Sequence, residues 1–125
     1  MLTELSLSLP RVPSASRVAR SGVRDRFADA LGRNTMADLE LVVSELVTNA
    51  FDHGRGTIRL DLAHDGDELH GSVIDDGPGF AYETRKVGDH ERRGRGLSIV
   101  DALVTRWGIT EGSAHVWFLM SPTGG

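Results

Sequence analysis

Glu45 and Asn49 stand four residues apart in a stretch where Leu39, Val42, Val43, Leu46, Val47, Ala50 and Phe51 recur at the period of a helix that buries one face. At about 100° per residue the two polar residues fall on one line, along the rim of that apolar face and not opposite it. A carboxylate placed there can take a proton or orient water, and an amide oxygen one turn on can ligate a hard cation such as Mg²⁺. Two solvated rim residues would show the same spacing, so the pair alone leaves both readings open.

A second cluster, Asp75-Asp76-Gly77-Pro78-Gly79, follows a strand-like stretch in which Leu69, Gly71, Val73 and Asp75 share one parity. If Leu69 and Val73 face the core, Asp75 points the same way, and a carboxylate there needs a partner, because an unpaired buried charge costs several kcal/mol. Asp76 reads as a turn residue rather than a ligand. A third cluster, Gly94-Arg95-Gly96, precedes Leu97, Ile99, Val100, Leu103 and Val104, which read as a short helix through about Arg106. Glycines at a helix start leave backbone N–H groups and the positive end of the dipole free to hold phosphate. Between the last two clusters, Phe80 to Arg95 has no period and carries Arg85, Lys86, Arg92, Arg93 and Arg95 against Glu83, Asp89 and Glu91. A long, basic, aperiodic loop of this kind reads as a lid over an anion.

The remaining elements frame these clusters. Leu5, Leu7 and Leu9 alternate with polar residues in a first strand that Pro10 ends. Val18, Ala19, Val23, Phe27, Ala30 and Leu31 suggest a helix from Pro13-Ser14 to about residue 31, closed by Gly32. Its Arg17, Arg20, Arg24 and Arg26 fit either a solvated face or a contact with phosphate or a partner. Thr35 and Asp38 resemble a capping box for the helix that carries Glu45, with Gly54 just past its end. Ile58, Leu60 and Leu62 alternate with polar residues up to a turn at Asp65-Gly66-Asp67, which makes a hairpin with the strand from Leu69 to Asp75. Trp107 to Thr110 and Ala114 to Met120 read as two more strands, with a frayed tail from Ser121.

At 125 residues the chain fits one domain, and 39% hydrophobic with 26% charged residues is ordinary for a soluble protein. No apolar run approaches the roughly 18 residues that cross a bilayer. The absence of cysteine excludes disulfide and thiolate chemistry, and a net charge of −4 disfavours a nucleic-acid partner. With no signal-like N-terminus, a cytoplasmic address is expected.

Taken together, the three clusters resemble the N, G1 and G2 boxes of the Bergerat ATP-binding fold, shared by gyrase, the large heat-shock chaperones, histidine kinases and mismatch-repair ATPases. More narrowly, Glu45-Leu46-Val47-Thr48-Asn49-Ala50 followed by His53-Gly54 is similar to the anti-sigma factor serine/threonine kinases of bacteria. The resemblance spans nearly the whole chain, including Arg93-Gly94-Arg95-Gly96-Leu97 and Arg106-Trp107-Gly108. It implies an α+β fold, a two-layer α/β sandwich with one mixed, mainly antiparallel sheet covered on one face by about three helices, over residues 1–125 as a single histidine-kinase-like domain.

Carried across residue by residue, the resemblance makes Asn49 the Mg²⁺ ligand and Asp75 the carboxylate that accepts the adenine amino hydrogen. Gly77 and Gly79 become the close-approach glycines at the base, and Arg93, Gly94, Arg95, Gly96 and Leu97 the phosphate side of the ATP site. Glu45 becomes the base for an attacking hydroxyl, and His53 matches the family's His-Gly after the N box. With no Walker A lysine, phosphate charge is left to Mg²⁺, backbone N–H groups and lid arginines. The implied function is a serine kinase that binds a sigma factor and phosphorylates a serine on an anti-sigma-factor antagonist; the family precedent also suggests a homodimer. The alternative is a nucleotide-dependent binding module without phosphotransfer. A histidine kinase catalytic half and a gyrase-like ATPase are disfavoured, since neither a phosphoacceptor helix region nor a transducer domain is expected within these residues.

Overall fold

The computed structural model describes residues 2–77, 95–110 and 115–121, with the backbone alone at 95 and 96. The chain runs β1 (Thr3–Leu9), α1 (Ala15–Phe27), α2 (Arg33–His53), β2 (Ile58–His64), β3 (Leu69–Ile74), α3 (Arg95–Leu103), β4 (Arg106–Thr110) and β5 (His115–Met120). The five strands form one sheet in the order β1-β2-β3-β5-β4. Every described pairing in it is antiparallel, so the mainly antiparallel sheet that was expected is observed.

Alternation decides which face is covered. Ile58, Leu60 and Leu62 of β2, Leu69 and Val73 of β3, and Val116, Phe118 and Met120 of β5 are buried on one side, where the helices lie. The residues between them, including Arg59, Asp61, His70 and Ser72, face the other way. The central helix is α2. It packs against α1, α3, β2 and β3 through Leu39, Val42, Val43, Leu46, Val47 and Ala50, the positions its sequence period singles out. From α1 it receives Ala19, Val23 and Phe27, spaced one turn apart and each fully buried. Removing a ring such as that of Phe27 from this seam would cost about 3–5 kcal/mol.

Several boundaries differ from the sequence reading. The first helix ends at Phe27, because the N–H groups of Ala30 and Leu31 both return to the Phe27 carbonyl and close a turn. Gly32 does not close α1; with ψ 169° it is the extended residue that heads α2. The capping box is therefore absent: Thr35 lies inside the first turns of α2 and is buried. The last helix ends at Leu103 rather than near Arg106, since the Thr105 N–H already bonds the Leu119 carbonyl of β5. The hairpin turn is as expected. Gly66 takes a φ of 104° there, and Asp65 Oδ1 accepts from the N–H groups of both Asp67 and Glu68 at 2.9 Å. Those bonds, that from Glu68 first, hold the Asp65 carboxyl below its usual value. The lid expected at Phe80 to Arg95 falls almost wholly outside the described residues.

Of the α1 arginines, Arg17, Arg24 and Arg26 are exposed, as the solvated-face reading expects, and three of the four also make contacts within the chain. Arg24 clamps Glu40 of α2 through Nε and Nη2, Arg20 donates to Ser44 Oγ at 2.8 Å, and Arg26 donates to the Glu4 carbonyl at 2.7 Å. These three residues tie α1 to its neighbours within the chain. The Glu40 contact also raises the Arg24 pKa.

Candidate nucleotide site

Asp75 continues β3 one residue past Ile74, on the helix-facing side that its parity demands, and it is the one carboxylate buried among the described residues. Its two oxygens are treated differently. Oδ1 accepts from the Gly77 N–H at 2.7 Å and from the Arg55 N–H at 3.3 Å. Oδ2 is buried with no hydrogen-bond partner among the described residues. An orphaned carboxylate oxygen costs roughly 1–3 kcal/mol or more, and a ligand donor can recover that cost.

The space around it is kept by glycines. A β-carbon on Gly54 would lie 2.1 Å from Asp75 Oδ2, and one on Gly77 would lie 2.9 Å from Oδ1. Gly54 ends α2, as the sequence placed it, but its φ of −94° is not left-handed; its N–H bonds the Ala50 carbonyl, and close approach to Asp75 is what demands glycine. Gly79 lies outside the described residues.

The C-terminal half of α2 carries the other two candidates. Asn49 precedes Ala50, the acceptor for Gly54, and Glu45 lies one turn before it, about 6 Å along the axis. Both are half-buried at the rim of the apolar face, so α2 carries an amide oxygen and a carboxylate along one edge, on the helix whose far end approaches Asp75. An amide oxygen of this kind suits Mg²⁺, which takes few protein ligands and keeps waters and phosphate oxygens. His53 is exposed in the last turn of α2.

The phosphate-side residues are only partly described. Arg93 and Gly94 lie outside the described residues, whereas Arg95 and Gly96 form the first turn of α3, so glycine at a helix start is observed. Leu97 is buried in the core, and what it offers the site is the seating of α3. Arg11 had no signal in the sequence, and Asp76, expected as a turn residue, is one. Arg11 donates to the Phe51 carbonyl near the end of α2 and stacks 5.8 Å from the Phe51 ring, and Asp76 bridges to the turn that follows α2. A hollow of about 560 Å³, lined in part by Ser6, Asp61, His70 and Ser72, lies on the uncovered face of the sheet and is no part of this site.

A buried carboxylate with one oxygen unpartnered among the described residues, two close-approach glycines and a helix rim bearing Glu45 and Asn49 make up the candidate site. Residues 7–120 match the histidine kinase-like ATPase domain family, and the chain belongs to it. The chain is 32% identical over 101 residues to the serine-protein kinase RsbW of Listeria monocytogenes serotype 4a (strain HCC23), and equally to that of serotype 4b (strain CLIP80459). The match covers 73% of this chain and 63% of those relatives. It also superposes, with a TM-score of 0.70 and 26% identity, on the crystal structure of the RsbU and RsbW domains of Rv1364c from Mycobacterium tuberculosis, over 95% of this chain and 32% of that one.

Proposed function

We propose that residues 1–125 form one ATP-binding domain that acts as a protein serine kinase of the anti-sigma type, sequestering a sigma factor and phosphorylating a serine on an anti-sigma-factor antagonist. The observation that carries the reading is the buried Oδ2 of Asp75 beside Gly54, unpartnered among the described residues and an acceptor suited to one N–H of an adenine amino group. The similarity to RsbW serine-protein kinases supports the choice of a protein serine as acceptor.

In this reading Asp75 and Gly77 hold the base, Gly79 lines it, and Asn49 ligates Mg²⁺. Arg93, Gly94, Arg95 and Gly96 meet the phosphates, with Leu97 anchoring the helix behind them. ATP supplies the γ-phosphoryl group, and Mg²⁺ offsets its charge. Glu45, half-buried one turn from Asn49, accepts the proton of the incoming serine hydroxyl. A cytoplasmic address and assembly as a homodimer belong to the same proposal.

Wild type and Glu45→Ala are assayed together for bound nucleotide and for label passed from γ-labelled ATP to a serine-bearing antagonist. The kinase reading expects the variant to bind ATP like wild type and to transfer about 10²–10⁴-fold more slowly. Undiminished transfer by the variant removes Glu45 from the mechanism. No transfer by wild type, with antagonist capture intact, makes the chain a nucleotide-dependent binding module.

A further inference from the structure

The turn after α2 and the turn after β3 are joined by hydrogen bonds in which Asp76 has a larger part than its exposure suggests. Its N–H donates to the Arg55 carbonyl at 2.8 Å, and its Oδ2 accepts from the Thr57 N–H at 3.0 Å. Between those two anchors sits Gly56, with φ 67°, where a β-carbon would lie 2.2 Å from Asp76 Oδ2. The carboxylate of Asp76 therefore lies directly over the Gly56 backbone, and Asp76 holds the Arg55–Thr57 turn twice, by its backbone N–H at Arg55 and by its carboxylate at Thr57.

That turn supplies the Arg55 N–H, which reaches Asp75 Oδ1 at 3.3 Å. The Gly77 N–H also holds Oδ1, but it lies only two residues away on the same turn and moves with it. Among the described residues, Arg55 is the one donor to Asp75 from the α2 side, so it orients the carboxylate plane relative to the helix that bears Glu45 and Asn49. A carboxylate with one oxygen saturated presents a single acceptor in one direction, whereas one free to rotate presents either oxygen to any donor.

We infer that Asp76 is a positioning residue for base recognition: by locking the Arg55–Thr57 turn it commits Asp75 Oδ1 to the protein and Oδ2 to the ligand, and so sets the preference for a purine with an exocyclic amino group. The inference rests on the reading of Asp75 as the base-binding carboxylate. It assigns Asp76 no contact with the nucleotide. Loss of its charge would change affinity for all triphosphates alike, while loss of its grip should act only where the amino group matters.

The test measures, by calorimetry in Mg²⁺ buffer, dissociation constants for ATP and for purine riboside triphosphate, which lacks the amino group, on wild type and on Asp76→Ala, Asp76→Ser and Asp76→Asn. Wild type should favour ATP by about tenfold or more, and Ala and Ser, which cannot reach the Thr57 N–H, should narrow that ratio by about fivefold, the worth of one ordinary hydrogen bond. Asn keeps an acceptor without the charge and should restore the wild-type ratio. An unchanged ratio in both Ala and Ser overturns the inference, even if the two affinities fall together. A wild type that does not discriminate removes the assignment of Asp75 itself, and the role of Asp76 with it.

Discussion

A β-carbon on Gly54 would stand 2.1 Å from Oδ2 of Asp75, the oxygen left without a partner among the described residues. The residue just past α2 is thus fitted to the carboxylate just past β3. Any larger side chain must push the carboxylate aside or lift the end of α2, since the Ala50 carbonyl lies only 2.7 Å from the same point.

Gly54→Ala is therefore expected to weaken ATP binding and to destabilise the fold by about 1–3 kcal/mol, the usual cost of forcing an extra carbon into a packed place. Calorimetry and urea unfolding check the two halves separately. A Gly54→Ala variant that binds ATP like wild type would mean that Oδ2 is not the atom that meets the base.

Asn49 should matter for metal more than for base. Asn49→Ala is expected to lower ATP affinity in Mg²⁺ buffer while leaving the weaker binding in chelator little changed, because only the phosphate-bridging ion loses its amide oxygen. The rim position of Asn49, half-buried and outside the core, should spare stability. Equal losses with and without Mg²⁺ would count against a metal role.

Gly71 offers a control away from the site. A β-carbon there would meet the Phe118 ring at 2.2 Å and Leu62 Cδ2 at 2.8 Å, both in the packed core. Gly71→Ala should cost about 1–3 kcal/mol in urea unfolding. Since Gly71 lies four residues before Asp75, about 13 Å along the strand, the folded variant should keep its ATP affinity. A drop in affinity without a drop in stability would mean that β3 transmits strain to the site.

How far these relationships can be read from sequence depends on what each rests on. The apolar period from Leu39 to Phe51 announces α2, and the parity of Leu69, Gly71, Val73 and Asp75 announces a buried carboxylate in need of donors, because both are side-chain patterns. The donors are the backbone N–H groups of Arg55 and Gly77, which no residue type advertises. Gly54 was legible as a glycine after a helix, but its reason lies in tertiary approach to Asp75 and not in local conformation. The capping box failed because Gly32, extended at the head of α2, starts the helix early enough to bury Thr35. The α1 arginines looked like a solvated or ligand-facing set. Glu40, Ser44 and the Glu4 carbonyl claim three of them, partners that only the packing of α1 on α2 and β1 brings within reach.

The most direct test of the central claim, that Asp75 reads adenine, is calorimetric titration of wild type and Asp75→Asn with Mg–ATP and Mg–GTP. GTP presents a carbonyl where ATP presents an amino donor, so wild type should bind ATP the more tightly. The variant should lose about ten- to a hundredfold in ATP affinity, the worth of a hydrogen bond to a charged group. Equal affinity of the wild type for ATP and GTP, or ATP binding untouched by Asp75→Asn, would contradict it.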